Sequence, residues 1–316
     1  MAKLIQKHVG LDDVLPRVHE GKVRITFEVP DHPHLLLQYA TDGVSTHNVV
    51  HQSQIDFKGM VLTALTVHWL REVFDDIDHH LVAAGMEIYQ YFSPIVRSDF
   101  PDLHHRAVVV RKLDMILVEF IYRRYLVRAG SLYKAYVCGE DPYGLELPRG
   151  LPIMYRFGKP IFTPTDKSER DDPLNAAEVE QKHFGESLLF GAYYGRAEQY
   201  LNKRGVALLD SKGEMGINHL GNPVLADELF TPDSSRFAYL DEVEKAVAKE
   251  RDPPWLDKQL VRDEAERQWA GGPKTPLVFP DKIVRDTQVQ YAILLELVTG
   301  KGLAAWTNGE LFGYHV

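Results

Sequence analysis

The segment Leu209-Asp-Ser-Lys-Gly-Glu-Met-Gly216 carries the densest local chemistry in the chain. Alternate side chains of a strand share a face, so an extended backbone here puts Asp210, Lys212 and Glu214 on one surface. Gly221-Asn222 is a turn signal, and Val224-Leu-Ala-Asp-Glu228 reads as the return strand. A turn centred on Leu220-Gly221 sets Glu214 directly opposite Asp227, where Cβ atoms lie roughly 4.5–5.5 Å apart. Two carboxylates so placed repel unless a cation lies between them. A hard divalent ion such as Mg²⁺, completed by phosphate oxygens, suits that pair. A polar edge hairpin with solvated acids accounts for the same spacing, and a slip of one residue sends Asp227 to the other face. Both readings stand at this point.

Three further groups are candidates. Gly21-Lys-Val-Arg24 points Lys22 and Arg24 to one side of a strand, a pair able to meet polyphosphate or simply to face solvent. Arg123, followed by Arg124, Arg128 and Gly130-Ser131, and distantly by Thr231-Pro-Asp-Ser-Ser-Arg236, supplies donors suited to a phosphomonoester. The pairs His79-His80 and His104-His105 lie beside Asp78 and Asp102, and are read as solvated faces, not metal ligands. No Walker A loop, Gly-x-Gly-x-x-Gly, Gly-x-Ser-x-Gly or His-Glu-x-x-His occurs.

The elements that must hold these residues follow from periodicity. Alternation predicts strands within 22–40, at 107–110, 115–121 and 206–209, and again at 224–229. Leu62, Leu65, Trp69, Val73 and Ile77 predict one helix over 58–82, with Asp75, Asp76 and Asp78 on its outer side. Residues 139–177 read as long functional loops. Helices are expected at 176–202, 241–250, 256–269 and 284–298, the last stopped by Gly300. A β-rich first part followed by a mixed part predicts an α+β protein in two lobes, with a boundary near residue 120: a β-rich nucleotide-binding lobe over 1–120 and a larger lobe over 121–316.

The 316 residues carry a formal net charge of −9, with 45% hydrophobic and 26% charged residues. That composition excludes a disordered or collagen-like chain and argues against a duplex nucleic-acid partner. No run of about 18 apolar residues crosses a membrane, and the N-terminal stretch does not resemble a secretory signal. A lone cysteine, Cys138, forms no internal disulfide and is expected to be packed; a cytoplasmic location is the default.

These pieces occur in an order that resembles the phosphoribosylaminoimidazole-succinocarboxamide (SAICAR) synthetase family over most of the chain. The likeness rests on Gly21-Lys-Val-Arg24, Ala40-Thr-Asp-Gly-Val-Ser45, Lys58-Gly-Met-Val-Leu-Thr63, Val118-Glu-Phe-Ile-Tyr-Arg123 with Gly130-Ser131, Leu147-Pro-Arg-Gly-Leu151 and Phe162-Thr-Pro-Thr-Asp-Lys167. Asp210-x-Lys212-x-Glu214-x-Gly216, Ala226-Asp-Glu228, Thr231-Pro-Asp…Arg236 and Asp257-Lys-Gln259…Arg262-Asp263 continue it.

The resemblance implies a kinase-like N-terminal lobe, a larger lobe related to ATP-grasp proteins, and ATP with Mg²⁺ in the cleft. It implies an ATP-dependent ligase that activates the carboxylate of an aminoimidazole ribonucleotide as an acyl phosphate, which the amine of L-aspartate then attacks. On that basis Lys22 and Arg24 meet the ATP phosphates and Glu119 helps hold the adenosine. Glu214 and Asp227 hold Mg²⁺, and Lys212 stabilises the transferring phosphoryl group or a substrate carboxylate. Asp210 orients Lys212 or receives a proton, and Arg123, Ser131 and Arg236 bind the ribonucleotide 5′-phosphate, with Arg124 or Arg128 as substitutes for Arg123. Partners are small molecules; a homo-oligomer is left open.

The chain departs from the family pattern at Ile25, where the family has Asp; at Gly43, where it has Arg; at Ser45-Thr-His-Asn48, where it has Ser-Ala-Phe-Asp; and at Arg170-Asp-Asp172. These changes put the acceptor in question. A specialised paralogue joining aspartate or another amine to a different heterocyclic or nucleoside carboxylate, in natural-product assembly, is the second expectation. A non-catalytic nucleotide-binding protein of the same fold is the third.

Overall fold

The computed structural model describes residues 10–168 and 170–309. In chain order the strands are β1 (Arg17–Glu20), β2 (Arg24–Glu28), β3 (Leu35–Ala40), β4 (Gly43–Thr46), β5 (Val49–Gln54), β6 (Leu81–Ala84), β7 (Ala107–Arg111), β8 (Asp114–Met115), β9 (Val118–Leu126), β10 (Tyr155–Phe162), β11 (Thr165–Asp166), β12 (Val206–Ile217), β13 (Pro223–Ala226) and β14 (Ser235–Tyr239). The α-helices are α1 (Lys58–His68), α2 (Pro94–Asp99), α3 (Ser131–Val137), α4 (Ala176–Lys182), α5 (Phe184–Asn202), α6 (Leu240–Ala248), α7 (Gln259–Trp269), α8 (Asp281–Thr299) and α9 (Leu303–Thr307).

Two antiparallel sheets organise the α+β fold. The first runs β1-β2-β3-β7-β6. The second runs β10-β9-β12-β13, with β11 on β9 and with β8 and β14 on β12. The change of sheet falls between Arg111 and Asp114, so a division at residue 120 would cut β9. The hairpin β4–β5 stands apart, with His47 and Asn48 both at positive φ in its two-residue turn. Helices α8 and α9, from the end of the chain, pack on α1 from its beginning.

Helix α1 is buried on every side, as expected of a helix sandwiched inside a core. Gly59 makes its start possible: a Cβ there would fall 2.3 Å from the Ala40 carbonyl oxygen, so only glycine lets the helix abut the end of β3. The expected single helix over 58–82 ends early. A wide π turn over Trp69–Val73 follows α1, seating Trp69 against Tyr200 and Phe230 with ring centroids 5.2 Å apart in each pair. The acids Asp75, Asp76 and Asp78 then fall in a loop.

The His79-His80 pair is not a solvated face. His80 is buried, and burial pushes its imidazole down to about 3. Its backbone N–H donates to Leu225 O at 2.9 Å, stitching the approach to β6 onto β13 and so joining the two sheets. His104 and His105 are half-buried, with His105 Nε2 3.2 Å from Thr307 O. Cys138, expected to be packed, is exposed at the end of α3.

The loop reading of 139–177 missed β10, which contains Gly158 and Pro160 and pairs irregularly between Arg156 and Ile161. An edge strand tolerates such residues and so loses the alternating signature. The helix expected over 176–202 is broken at His183, whose backbone leaves the helical region.

Candidate active-site cleft

Strand β12 is the axis of the site. Strict alternation would put Asp210 on the face of Leu208, against α5. A bulge between Leu208 and Asp210 reverses the parity. The reversal is visible at Gly213, where a Cβ would fall 2.0 Å from Phe190 of α5, in the same apolar cluster as Leu208. Asp210, Lys212 and Glu214 are thereby turned away from α5. The face of Asp210 and Lys212 opens on a cleft of about 350 Å³, which is also lined by Lys22, Arg24, Glu119, Arg123, Asp227 and Arg236. Ser131 and Glu214 do not line this cleft.

Asp210 lies directly opposite Arg123 on β9 and Arg236 on β14. Its Oδ2 accepts from Arg123 Nη1 at 2.7 Å and Arg236 Nη1 at 2.6 Å. Burial pushes the carboxyl up, but Arg236 and Arg123 outweigh it and hold Asp210 below the ordinary carboxylate range. Arg123 also donates to Thr163 Oγ1 at 2.9 Å and Ser131 Oγ at 3.3 Å, so Arg123, Ser131 and Arg236 do converge. Arg124 points elsewhere, into a two-bond pair with Glu198 at 2.6 and 2.5 Å, and Arg128 is exposed.

Asp210 does not orient Lys212. Lys212 Nζ donates to Glu119 Oε1 at 2.7 Å, while Glu119 Oε2 accepts from Thr165 Oγ1 at 2.7 Å. Glu119, which lines the cleft, therefore accepts from a protein group at each of its two oxygens. A carboxylate clamped by two arginines is also a poor proton acceptor, which removes the chemical basis for the second role considered for Asp210.

The acid pair meets by a different geometry from the one expected. Glu214 is opposite Ala226, not Asp227, a shift of one residue. Asp227 lies just past β13 at φ 59, and it is near enough for its charge to act on Glu214. Burial and the Asp227 charge push the Glu214 carboxyl up. Asp227 is held down, against burial, by Arg24 and Lys212. Arg24 pairs with Asp227 and lies 3.8 Å from Glu228, and Lys167 pairs with Glu214. Lys22 donates to Asn48. Among the described residues no three His, Cys, Asp or Glu side chains form a metal-binding group. Two mutually repelling carboxylates nonetheless fit an ion that takes its remaining ligands from phosphate and water.

A second buried cluster had no role in the sequence reading beyond its family likeness. Asp233 Oδ2 lies 2.9 Å from Lys58 Nζ and 3.5 Å from Lys258 Nζ, and Asp233 Oδ1 accepts from Tyr291 at 2.6 Å. Burial lowers Lys258 to about 8 and raises Asp257 to about 6. Arg262 borders the same end of the cleft. The available signal was the run Asp257-Lys-Gln259…Arg262, whose helical spacing sets Gln259 and Arg262 on one side of α7.

A SAICAR synthetase family model matches residues 17–276. The chain belongs to the SAICAR synthetase family. Among relatives named phosphoribosylaminoimidazole-succinocarboxamide synthase, that of Saccharopolyspora erythraea is 36% identical over 93% of this chain and 97% of its own. That of Desulfotalea psychrophila is 33% identical over 90% and 95%. A solved Saccharomyces cerevisiae SAICAR synthase, complexed with SAICAR, superposes with a TM-score of 0.80 at 30% identity, covering 94% of this chain and 98% of that one. The two-lobed α+β architecture is thus that of the family. No helix among the described residues is long and apolar enough to cross a membrane.

Proposed function

We propose that the protein is the ATP-dependent ligase of SAICAR synthesis in purine biosynthesis, joining L-aspartate to the carboxylate of an aminoimidazole ribonucleotide in the cytoplasm. The observation that carries this reading is a site with two unlike walls: the Arg123–Asp210–Arg236 cluster, and the Glu214–Asp227 acid pair, of which Asp227 lines the cleft and Glu214 does not. Family membership over nearly the whole chain supports it.

In this reading Arg123 and Arg236, steadied by Asp210 and Ser131, receive the ribonucleotide 5′-phosphate through charge-assisted bonds. Glu214 and Asp227 hold Mg²⁺, which screens the phosphate charge of bound ATP. Lys22 reaches the polyphosphate. Lys212, kept in place by Glu119, faces the transferring phosphoryl group. The acceptor carboxylate oxygen attacks the γ-phosphorus, ADP leaves, and an acyl phosphate forms. The neutral amine of aspartate then attacks the acyl carbon, and the phosphate departs with the former carboxylate oxygen and takes up the proton the nitrogen loses. The chain's contribution is positioning and charge stabilisation.

Purified protein with ATP, Mg²⁺, L-aspartate and carboxyaminoimidazole ribonucleotide should release ADP and form the succinocarboxamide, read by mass spectrometry. The second reading, a paralogue with another heterocyclic acceptor, is motivated by His47 and Asn48, which line the cleft where the family has Phe and Asp. ADP release with a different acid, and none with this ribonucleotide, would replace the first reading by the second.

A further inference from the structure

Five cationic side chains of the cleft face a carboxylate: Arg24 with Asp227, Arg123 and Arg236 with Asp210, Lys212 with Glu119, and Lys258 with Asp233. Lys22 and Arg262 line the same cleft and have no carboxylate within ion-pair distance among the described residues. Each is held by a carboxamide oxygen instead. Lys22 Nζ donates to Asn48 Oδ1, and Arg262 Nη1 donates at 3.3 Å to Gln259 Oε1, which also accepts from Arg236 Nε at 3.4 Å. The other end of each carboxamide donates to an acid: Asn48 Nδ2 to Asp171 Oδ2 at 2.9 Å, and Gln259 Nε2 to Asp263 Oδ1 at 2.8 Å.

The same cation–amide–acid order therefore occurs twice, at residues far apart in sequence. A carboxamide has one accepting and one donating end, so the cation on one side and the acid on the other fix its orientation. It steadies the cation without adding a negative charge. A carboxylate in its place would cancel the cation and repel the neighbouring acid.

We propose that Asn48 and Gln259 are positioning residues that keep Lys22 and Arg262 aimed into the cleft and apart from Asp171 and Asp263. Each cation then retains its charge for an anionic substrate group: the ATP polyphosphate at Lys22, the acceptor ribonucleotide at Arg262. The assignment of the two substrates rests on the ligase reading above, with Arg262 placed at the ribonucleotide because it shares the Gln259 oxygen with Arg236. The retained charge rests on the geometry alone. Asn48 is also where this chain departs from the family's acid.

The test replaces each carboxamide by its acid. Lys22 is exposed, so Asn48→Asp should raise KM for ATP about three-fold, the size expected of an exposed pair. Gln259 is buried, and Gln259→Glu should raise KM for the ribonucleotide about ten-fold, as a desolvated charge pair does. Each variant should leave the other substrate's KM within a factor of about two, with the rise in KM exceeding the fall in kcat. The uncharged controls Asn48→Ser and Gln259→Met should show smaller rises than the acids. Calorimetric titration of ATP into wild type and Asn48→Asp reads the weakened binding without turnover. It separates this inference from the ligase reading, which fails instead if the wild type makes no succinocarboxamide. Equal effects of acid and neutral variants, equal effects on every substrate, or unchanged ATP affinity in Asn48→Asp would overturn the proposal.

Discussion

The two walls of the site, which meet at the cleft, treat charge in opposite ways. On the wall built by β9, β12, β14 and the segment leading into β14, two acids are each held by two cations: Asp210 by Arg123 and Arg236, and Asp233 by Lys58 and Lys258, with Tyr291 donating a further hydrogen bond. Asp210 and Asp233 sit below the ordinary carboxylate range, despite burial, because these cations outweigh the desolvation. At the open end of the β12–β13 hairpin, acids outnumber cations. Glu119, Glu214, Asp227 and Glu228 share Arg24, Lys167 and Lys212, and the Glu214 carboxyl is pushed up. In the proposed function the first wall receives an anion and the second a cation. A ligand carrying both, such as a metal-bound polyphosphate beside a ribonucleotide phosphate, is complementary to the pair.

Breaking the cation-rich wall should cost most. Lys58 is fully buried, and Asp233→Ala leaves its ammonium with no carboxylate. Removing one partner of a buried pair costs about 3–5 kcal/mol, which should lower Tm by roughly 10 °C in a calorimetric scan. A fall of less than about 2 °C would show that this wall is not held by charge pairing.

Separating the walls should have the next largest effect. Glu214→Gln should raise the Mg²⁺ concentration for half-maximal ADP release at least about ten-fold and cut turnover about a hundred-fold, the loss typical of one preorganised charge group. Arg236→Met should instead raise KM for the ribonucleotide and leave the Mg²⁺ requirement unmoved. If both variants shift the Mg²⁺ requirement alike, the two walls act as one site and the contrast fails.

The smallest effect is a pH dependence. Lys258 titrates near 8 in the folded protein, below its ordinary 10.5. Its charged form is thus penalised by folding below pH 8, and between pH 8 and 10.5 the unfolded chain binds more protons. Stability contributed at this position must rise with pH across that window. The Tm of wild type relative to Lys258→Met should therefore climb from pH 8 to 10.5 and stay flat from pH 6 to 7. A flat difference throughout would mean that Asp233 keeps Lys258 charged.

Much of the site was legible because strands encode faces. Asp210-x-Lys212-x-Glu214 announced a polar strand face, and Gly221-Asn222 announced its turn. The two-lobed α+β expectation and the helices near 241–250 and 284–298 followed from ordinary periodicity, and α8 does stop at Gly300 with φ 74. The early end of α1 was not legible, because the apolar spacing ran on through Trp69, Val73 and Ile77. Packing of Trp69 on Tyr200 and Phe230 lies beyond any local window. The partners of Asp210 were equally hidden, since nothing near residue 210 reveals that β9 and β14 flank it.

The chain by itself determined which charges exist and how they alternate along each strand, since side-chain parity is a property of the local backbone. Only the tertiary structure decided which charges meet. The bulge before Asp210 chose its face, the register chose Arg123 and Arg236 as its neighbours, and the fold set the Asp227 charge near Glu214 although the two are not register partners. Charge pairing acts across space over a few ångströms, and those distances are set by strands far apart in sequence.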